Sequence, residues 1–314
     1  FFFFFKAPVI PSFQAAYVIN DKWSVSAHFA VGGGGGECEF AEGLPMFEEL
    51  VGGQLAGAQA NSYGLSQNLT GKQFIYGFQV GATYRLTDNF SVFGGARGVL
   101  ANCAYEGAIS NITANGVAAG SYLSGVKAMV DAGLAQLEPV KDVAGYKEQY
   151  QQLAAQSAAL AQGAALLGSD FNLDCAQSGF GITPIIGLDW NLGKLNLAAK
   201  YEFRTKINLE NDSENTSANV TALMPAYADG AKVRSDIPAI LTLGAQYQFT
   251  DAVRVMGGFH YYWDKDAKGT PIKKGDNTWE ANLGIEWDVN DKILLSLGGQ
   301  RTQYGFDDTD MADT

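Results

Sequence analysis

The sequence predicts an all-β protein: an up-and-down antiparallel transmembrane β-barrel, with about ten strands in this chain and one helical external loop. Three observations predict it. Short polar turns join alternating runs into five hairpins, at Ile19-Asn20-Asp21-Lys22-Trp23, Leu86-Thr87-Asp88-Asn89-Phe90, Leu192-Gly193-Lys194-Leu195, Phe249-Thr250-Asp251-Ala252-Val253 and Val289-Asn290-Asp291-Lys292-Ile293. Stretches of roughly 15 to 75 residues separate one hairpin from the next, so short turns and long loops fall at opposite ends of the sheet. The runs themselves alternate with period two, which is the repeat of a strand and not of a helix.

The first hairpin starts at Ser12, turns at Asn20 and runs from Trp23 into Gly32, Gly33, Gly34, Gly35 and Gly36. Five glycines have no side chains to pack and a large ordering cost, so the strand is expected to bend or stop there. That leaves either the start of a flexible loop or a kink that opens the wall sideways. The second hairpin sets Phe74, Tyr76, Phe78, Val80, Ala82 and Tyr84 on one face against Gln79, Thr83 and Arg85 on the other. Over about 113–170 the period changes to that of a helix. Val126, Met129, Val130, Leu134 and Leu137 make one stripe and Tyr146, Tyr150, Leu153, Leu160 and Leu167 another, split near Pro139. Two amphipathic helices follow, which either pack on each other over the barrel mouth or leave an external apolar groove.

In the third hairpin, 195–209 reads as one strand. Leu195, Leu197, Ala199, Tyr201, Phe203 and Ile207 lie on the oily face, and Lys200, Glu202, Arg204 and Lys206 on the other. The fourth hairpin turns at Asp251. The last sets Trp279, Ala281, Leu283, Ile285 and Trp287 against Glu280, Asn282, Glu286 and Asp288 and ends near Phe306.

A soluble sandwich also alternates, so the membrane has to be argued separately. Strands of about nine to sixteen residues exceed the usual five or six, and a tilted membrane strand needs about nine to eleven. Aromatics gather near strand ends (Tyr17, Trp23, Tyr84, Phe90, Trp190, Phe249), where an interfacial girdle sits. The polar face carries charge along its middle, which a packed core rejects and a wet lumen accepts. No run of about eighteen apolar residues offers a transmembrane helix.

The chain holds 21 basic against 33 acidic residues, which argues against nucleic acid as a partner. Two histidines and three cysteines leave little material for a metal or nucleophile site, and no cofactor is expected. His28 and His260 face inward by parity, but no nucleophile signature accompanies them, so the protein reads as a non-enzyme. Cys103 and Cys175 end two strands that flank the helical loop and make a possible disulfide, with Cys38 as a competing partner. Asp307, Asp308 and Asp310 read as a solvated external loop. No signal peptide is visible, although such a barrel must be exported; the opening Phe1–Phe5 run points to a processed or truncated start.

The order of elements resembles one family, the FadL-type long-chain fatty acid transporters of the bacterial outer membrane, which include hydrocarbon channels. The resemblance runs from Val9–Gly36 through Tyr84-Arg85-Leu86-Thr87-Asp88-Asn89-Phe90-Ser91 and the helical insertion. It continues over Gly179-Phe180-Gly181-Ile182, Tyr201–Ile207, Ile237–Gly244 and Leu283-Gly284-Ile285-Glu286. It implies fourteen strands in the full protein, so 1–314 is expected to be one barrel domain, incomplete at both ends and lacking the family's N-terminal hatch. It also implies uptake of a hydrophobic small molecule, a fatty acid or a hydrocarbon, with lateral exit into outer-membrane lipid through the kinked strand at Gly32–Gly36.

A fatty acid needs a cation for its head and an apolar channel for its tail. The head-group candidates are Arg97, Arg204, Lys206 and Arg254; for each, the competing reading is a lumen charge paired across strands. Around Lys273-Lys274-Gly275-Asp276 the register of a further basic partner is left open. Ile75, Phe93, Ile240, Met256, Tyr262 and His260 are the apolar lumen candidates. Val126, Met129, Leu134, Leu153, Leu160 and Leu167 are the candidate external groove. The competing functions are an adhesion barrel, whose loops bind partners, and a porin for small polar solutes.

Overall fold

A computed structural model describes residues 3–6, 9–269 and 276–305. In chain order the elements are β1 (Phe3–Lys6), β2 (Ser12–Val18), β3 (Trp23–Phe40), α1 (Pro45–Gly57), β4 (Tyr63–Thr87), β5 (Phe90–Ala114), β6 (Val117–Ala118), α2 (Ala119–Leu137), α3 (Lys147–Leu166), β7 (Phe171–Leu192), β8 (Leu195–Glu202), β9 (Asn208–Asp212), α4 (Ala218–Leu223), β10 (Lys232–Arg234), β11 (Ile240–Gln248), β12 (Val253–Tyr262), β13 (Trp279–Asn290) and β14 (Ile293–Gln303). All five hairpins form as the turns predict. In the first and the last, Asn20 and Asn290 each accept backbone N–H bonds from the two residues that open the second strand.

The strands make one antiparallel sheet of ten rows that curls as an open half-barrel. β1 and β2 are two pieces of one row on β3, and β8 and β9 are two pieces of one row on β7. Among the described residues, the β1/β2 row pairs only with β3 and β14 only with β13, so the sheet has two open edges.

β4 and β5 each run 25 residues and β7 runs 22, longer than the nine to sixteen expected from the sequence. About ten residues suffice to cross a bilayer, so the rest of each strand stands beyond it and carries the helices. The convex face holds large exposed apolar side chains such as Phe78, Leu100, Phe180, Ile182, Leu283 and Leu297. A water-facing sheet would not leave so continuous an apolar surface uncovered. Trp279 and Trp287, both on that face, stand eight residues apart on β13. That is about 26 Å along the strand, or ~20 Å of height at a tilt of about 40°, within the span of an apolar band with aromatic rims. Among the described residues no helix is long and apolar enough to cross a membrane.

The helices of the 113–170 loop fall where the sequence places them. They are consumed in a core over the barrel mouth: Leu123 of α2 and Leu160 of α3 pack with Ile109, Ile112 and Phe171 of the strands and Val51 and Leu55 of α1. α1 was not anticipated. Pro45 opens it and Val51 and Leu55 lie four residues apart on its buried side, but Gly52 and Gly53 hide the helical signal.

One strand prediction fails. The 195–209 run is not continuous, because the ladder stops after Glu202 and resumes at Asn208. The face changes across the break: Glu202 is buried before it, and Thr205, Ile207 and Leu209 are buried after it. Pro184 of β7 supplies a reason. Its carbonyl accepts the Phe203 N–H at 3.0 Å, and the N–H that another residue would send to the same side is missing.

Candidate functional site

The inner face is ordered in cross-strand rows. One reads His28, Gln79, Arg97, Thr183 across β3, β4, β5 and β7. The next toward the short turns includes Ile185, Glu202, Ile240 and Tyr262. Here the charges meet: the Glu202 carboxylate, buried, receives Arg97 at 2.7 Å and Lys200 at 2.7 Å, and Arg97 also donates to Gln79 at 3.0 Å. Nearer the turns, Arg254 is held by Glu286 and by Asp288 at 3.0 Å. Arg97 and Arg254 thus lie on the inner face as predicted, each with a carboxylate already against it.

Arg204 and Lys206 do not join them. Arg204 sits in the break after Glu202, paired with Asp236 at 3.7 Å and donating to the Asp266 carbonyl. Lys206 alternates with buried Thr205 and Ile207 and is exposed on the opposite face, because the break reverses the parity from which its inward position was read.

Above the polar row, away from the short turns, the inner face becomes apolar. Two rows read Ala30, Gly77, Val99, Gly181 and Gly33, Ile75, Ala101, Gly179. Ile75, Val99 and Ala101 form one cluster with Ile207, Leu209 and Ile237. Of the predicted lumen residues, Ile75 lies in this belt, Ile240 faces Glu202, and Tyr262 donates to Glu280 at 2.9 Å. His260 meets the Thr242 hydroxyl at 3.2 Å through Nδ1, and Met256 packs toward Gly284. Phe93 lines a pocket of about 280 Å³ with Thr83, Asp189, Lys200 and Thr242. Val99, Ile185 and Ile207 were not singled out from sequence. Parity along β5 and β7 points the first two inward; nothing local to 207 announces the reversal.

The apolar belt ends at an irregular stretch of β3. β3 pairs with β2 as far as Ala30 and with β1 from Glu37, and among the described residues Val31–Gly36 has no ladder partner on that side. On its other side β3 slips register against β4 twice, between Val31 and Gly33 and between Gly34 and Gly36. Gly34 and Gly35 have φ of 65° and 97°, which glycine adopts freely. The side chain of Ile75 stands just inside, its Cδ1 3.1 Å from where a Cβ on Gly33 would be. Gly32 lies nine residues above Trp23, roughly 30 Å along a strand, which at a tilt of about 40° is a height of ~23 Å. The interrupted stretch of ladder therefore lies in the outer part of the apolar band, with the Ile10 side chain 3.7 Å from where a Cβ on Gly35 would be.

The six residues proposed for an external groove are placed differently. Leu160 and Leu167 are buried in the core of the mouth, Val126, Leu134 and Leu153 are half-buried between the helices, and Met129 is 69 % exposed. A cleft of about 680 Å³ does lie where α2 meets the end of α3, but Ser121, Ser124, Ser169 and Asp170 are among its lining. The predicted disulfide is not formed: Cys38, Cys103 and Cys175 are free. Cys103 faces Gln177 and Cys175 faces Tyr105, so the two residues are diagonal neighbours with β-carbons about 7 Å apart, against the roughly 4 Å that a disulfide needs. Among the described residues no group of three metal-ligating side chains converges. Lys273, Lys274, Gly275 and the acidic stretch from Asp307 lie outside the described residues, as do Phe1 and Phe2.

The chain matches no family model and no curated protein sequence. Solved structures do match. The Pseudomonas putida toluene transporter TodX aligns with a TM-score of 0.53 at 14 % identity, over 94 % of this chain and 67 % of that one. A second TodX structure gives 0.51 at 16 % identity, over 94 % and 68 %. A Pseudomonas aeruginosa FadL homologue gives 0.55 at 12 % identity, over 95 % and 61 %. The fold is that of the FadL-type barrels. The half-barrel, its ten rows and its helical mouth are thus a FadL-type wall, and this chain spans about two thirds of the length of the proteins it resembles.

Proposed function

We propose that this chain forms the uptake wall of an outer-membrane channel for hydrophobic solutes, which pass along the apolar belt and leave sideways into lipid through the gap at Gly32–Gly36. One observation supports the reading: the irregular, unpaired stretch of β3 lies in the same cross-strand row as Ile75, Ala101 and Gly179, so the most apolar of the lumen rows described above leads to it. A solute that prefers hydrocarbon to water gains roughly 25 cal/mol for each Å² it hides, first on the belt and then in the bilayer. In a bilayer the two open edges of the sheet must also be paired, since unsatisfied backbone groups cost several kcal/mol each there; we propose that further strands close the barrel.

The substrate class follows from the charges. Arg97, Lys200, Arg204 and Arg254 each already face a carboxylate of the protein. A fatty acid head group would have to displace one of these, whereas a compact neutral hydrocarbon needs no such exchange. The two TodX structures, of a toluene transporter, agree with a neutral solute, and the FadL homologue keeps a fatty acid as the second candidate.

The test is uptake of radiolabelled toluene and of radiolabelled oleate by cells carrying the full-length protein, with and without Gly33→Val. That valine crowds the Ile75 side chain, whose Cδ1 would stand 3.1 Å from the new Cβ, at a position with ordinary φ. Toluene uptake is expected to fall at least about tenfold, the factor given by ~1.4 kcal/mol on the barrier. Unchanged uptake removes the lateral exit, and a protein that takes up neither solute yet conducts ions is a porin.

A further inference from the structure

On three strands the convex, lipid-facing side of the sheet changes character in the same order going up from the short turns. On β4 it reads Val80, Phe78, Tyr76, Phe74 and then Lys72, whose Nζ stands 5.9 Å from the centre of the Phe74 ring. On β8 and just past it, Leu197, Ala199, Tyr201 and Phe203 lead to Lys206. On β14, Leu295, Leu297 and Gly299 lead to Arg301, beside Trp279 of β13. Aliphatic side chains give way to rings and then to a positive charge, which is the order that suits a boundary between hydrocarbon and charged head groups.

Lys206 and Arg301 are both exposed, and among the described residues neither has a carboxylate within ion-pair distance. Arg97, Arg204, Arg234 and Arg254 are all paired. In a chain of net charge -12, two open cations at the top of the lipid-facing wall stand out as a local attraction for anions.

Rings fill the wall between them. The Arg301 guanidinium lies over Trp279, 5.9 Å from the ring centre, which leaves its N–H edge free. Trp279 faces Tyr261 across the β12–β13 ladder and stacks on Phe259 at 6.3 Å. Tyr261 meets Trp263 at 4.9 Å, Trp263 meets Tyr201 at 5.5 Å, and Tyr201 meets Phe203 at 4.8 Å, three residues before Lys206. These contacts are edge to face, so the rings hold one another as one platform. From β8 to β14 the platform crosses four inter-strand steps, about 19 Å. A further strand added to β14 would pair with its edge and leave this face open, because side chains stand perpendicular to the ladder.

We propose that this rim is a docking site for the phosphorylated glycolipid of the outer leaflet. Arg301 and Lys206 take phosphate, and the aromatic platform takes the sugar rings and the first part of the acyl chains. Two cations at the ends of a platform of about 19 Å suit a broad head group that carries phosphate in more than one place, whereas a small head group with one phosphate reaches only one end. Gln303 stands next to Arg301 on the same face, opposite Trp279, and offers an amide to sugar hydroxyls. The long connections lie at this end of the sheet, which places the site in the external leaflet. The site does not depend on the reading of Gly32–Gly36.

The experiment uses the full-length protein, purified in detergent and depleted of lipid, with folding confirmed by the gel shift of unheated barrels. Native mass spectrometry follows titration with bisphosphorylated lipid A, with the same lipid after removal of both phosphates, and with phosphatidylglycerol. Wild type is expected to bind the bisphosphorylated lipid at least about tenfold more tightly than either of the others, the scale of one charge-assisted contact. Arg301→Gln and Lys206→Gln, both at exposed positions, are each expected to weaken that binding about tenfold. Lys292→Gln, in a short turn at the other end of the sheet, should leave it unchanged. Equal affinity for the dephosphorylated lipid, or wild-type affinity in both variants, overturns the proposal. Equal affinity for phosphatidylglycerol overturns the assignment to a glycolipid.

Discussion

Gly32 and Gly34 sit two residues apart in the same glycine run, yet a methyl group added to each should act in opposite directions. At Gly34 the backbone has φ of 65°, and an added Cβ would fall inside the envelope of the Gln73 carbonyl oxygen, 2.7 Å from its carbon and 3.1 Å from Gln73 Cβ. The left-handed conformation costs an L-residue about 1–2 kcal/mol and forced overpacking about 1–3 kcal/mol, so Gly34→Ala should destabilise by about 2–5 kcal/mol. At Gly32 φ is ordinary and the nearest atom to an added Cβ is the Ile75 carbonyl oxygen at 3.8 Å. Gly32→Ala should be neutral or stabilise by about 0.4–1 kcal/mol, by restricting the unfolded chain. The assay is urea unfolding of the full-length protein in lipid vesicles, followed by tryptophan fluorescence. A Gly34→Ala midpoint equal to that of Gly32→Ala would refute the double slip in register and, with it, the geometry of the gap.

Glu202→Gln removes the carboxylate shared by Arg97 and Lys200; oleate should then compete with toluene uptake about tenfold better, since ~1.4 kcal/mol of charge-assisted bonding is tenfold in affinity, and unchanged competition would show that these cations do not reach the solute path. Asp131 of α2 receives hydrogen bonds from Lys127 and from Ser157 of α3, which hold its carboxyl below the usual range. Because the folded pKa is the lower one, this contribution is complete above about pH 4 and fades as the pH falls further. Proteolysis between α2 and α3 should accordingly rise on acidification below pH 4 in wild type and much less in Asp131→Asn; equal profiles would disprove the link. Alkylation in denaturant without reductant should label all three cysteines, whereas a single labelled site would mean that a disulfide had formed.

The sequence by itself determined the barrel. Period-two faces, Asn-rich turns and the strict alternation of short and long connections are local signals, and each is written in residues that touch along one strand or across one turn. The two helices over the mouth were legible for the same reason, and so was an irregularity at five consecutive glycines, although β3 runs on through them with two register slips. Tertiary structure decided how the inner face is used. Whether Arg97 offers a free cation depends on Glu202, more than a hundred residues away, and whether Lys206 faces the lumen depends on a break caused from the neighbouring strand by Pro184. A period-two pattern carries parity only while the ladder is unbroken; one slip inverts every residue beyond it. Ile207, which alternation alone would put in lipid, lies instead on bare glycines of β7 at the level of the gap in the wall.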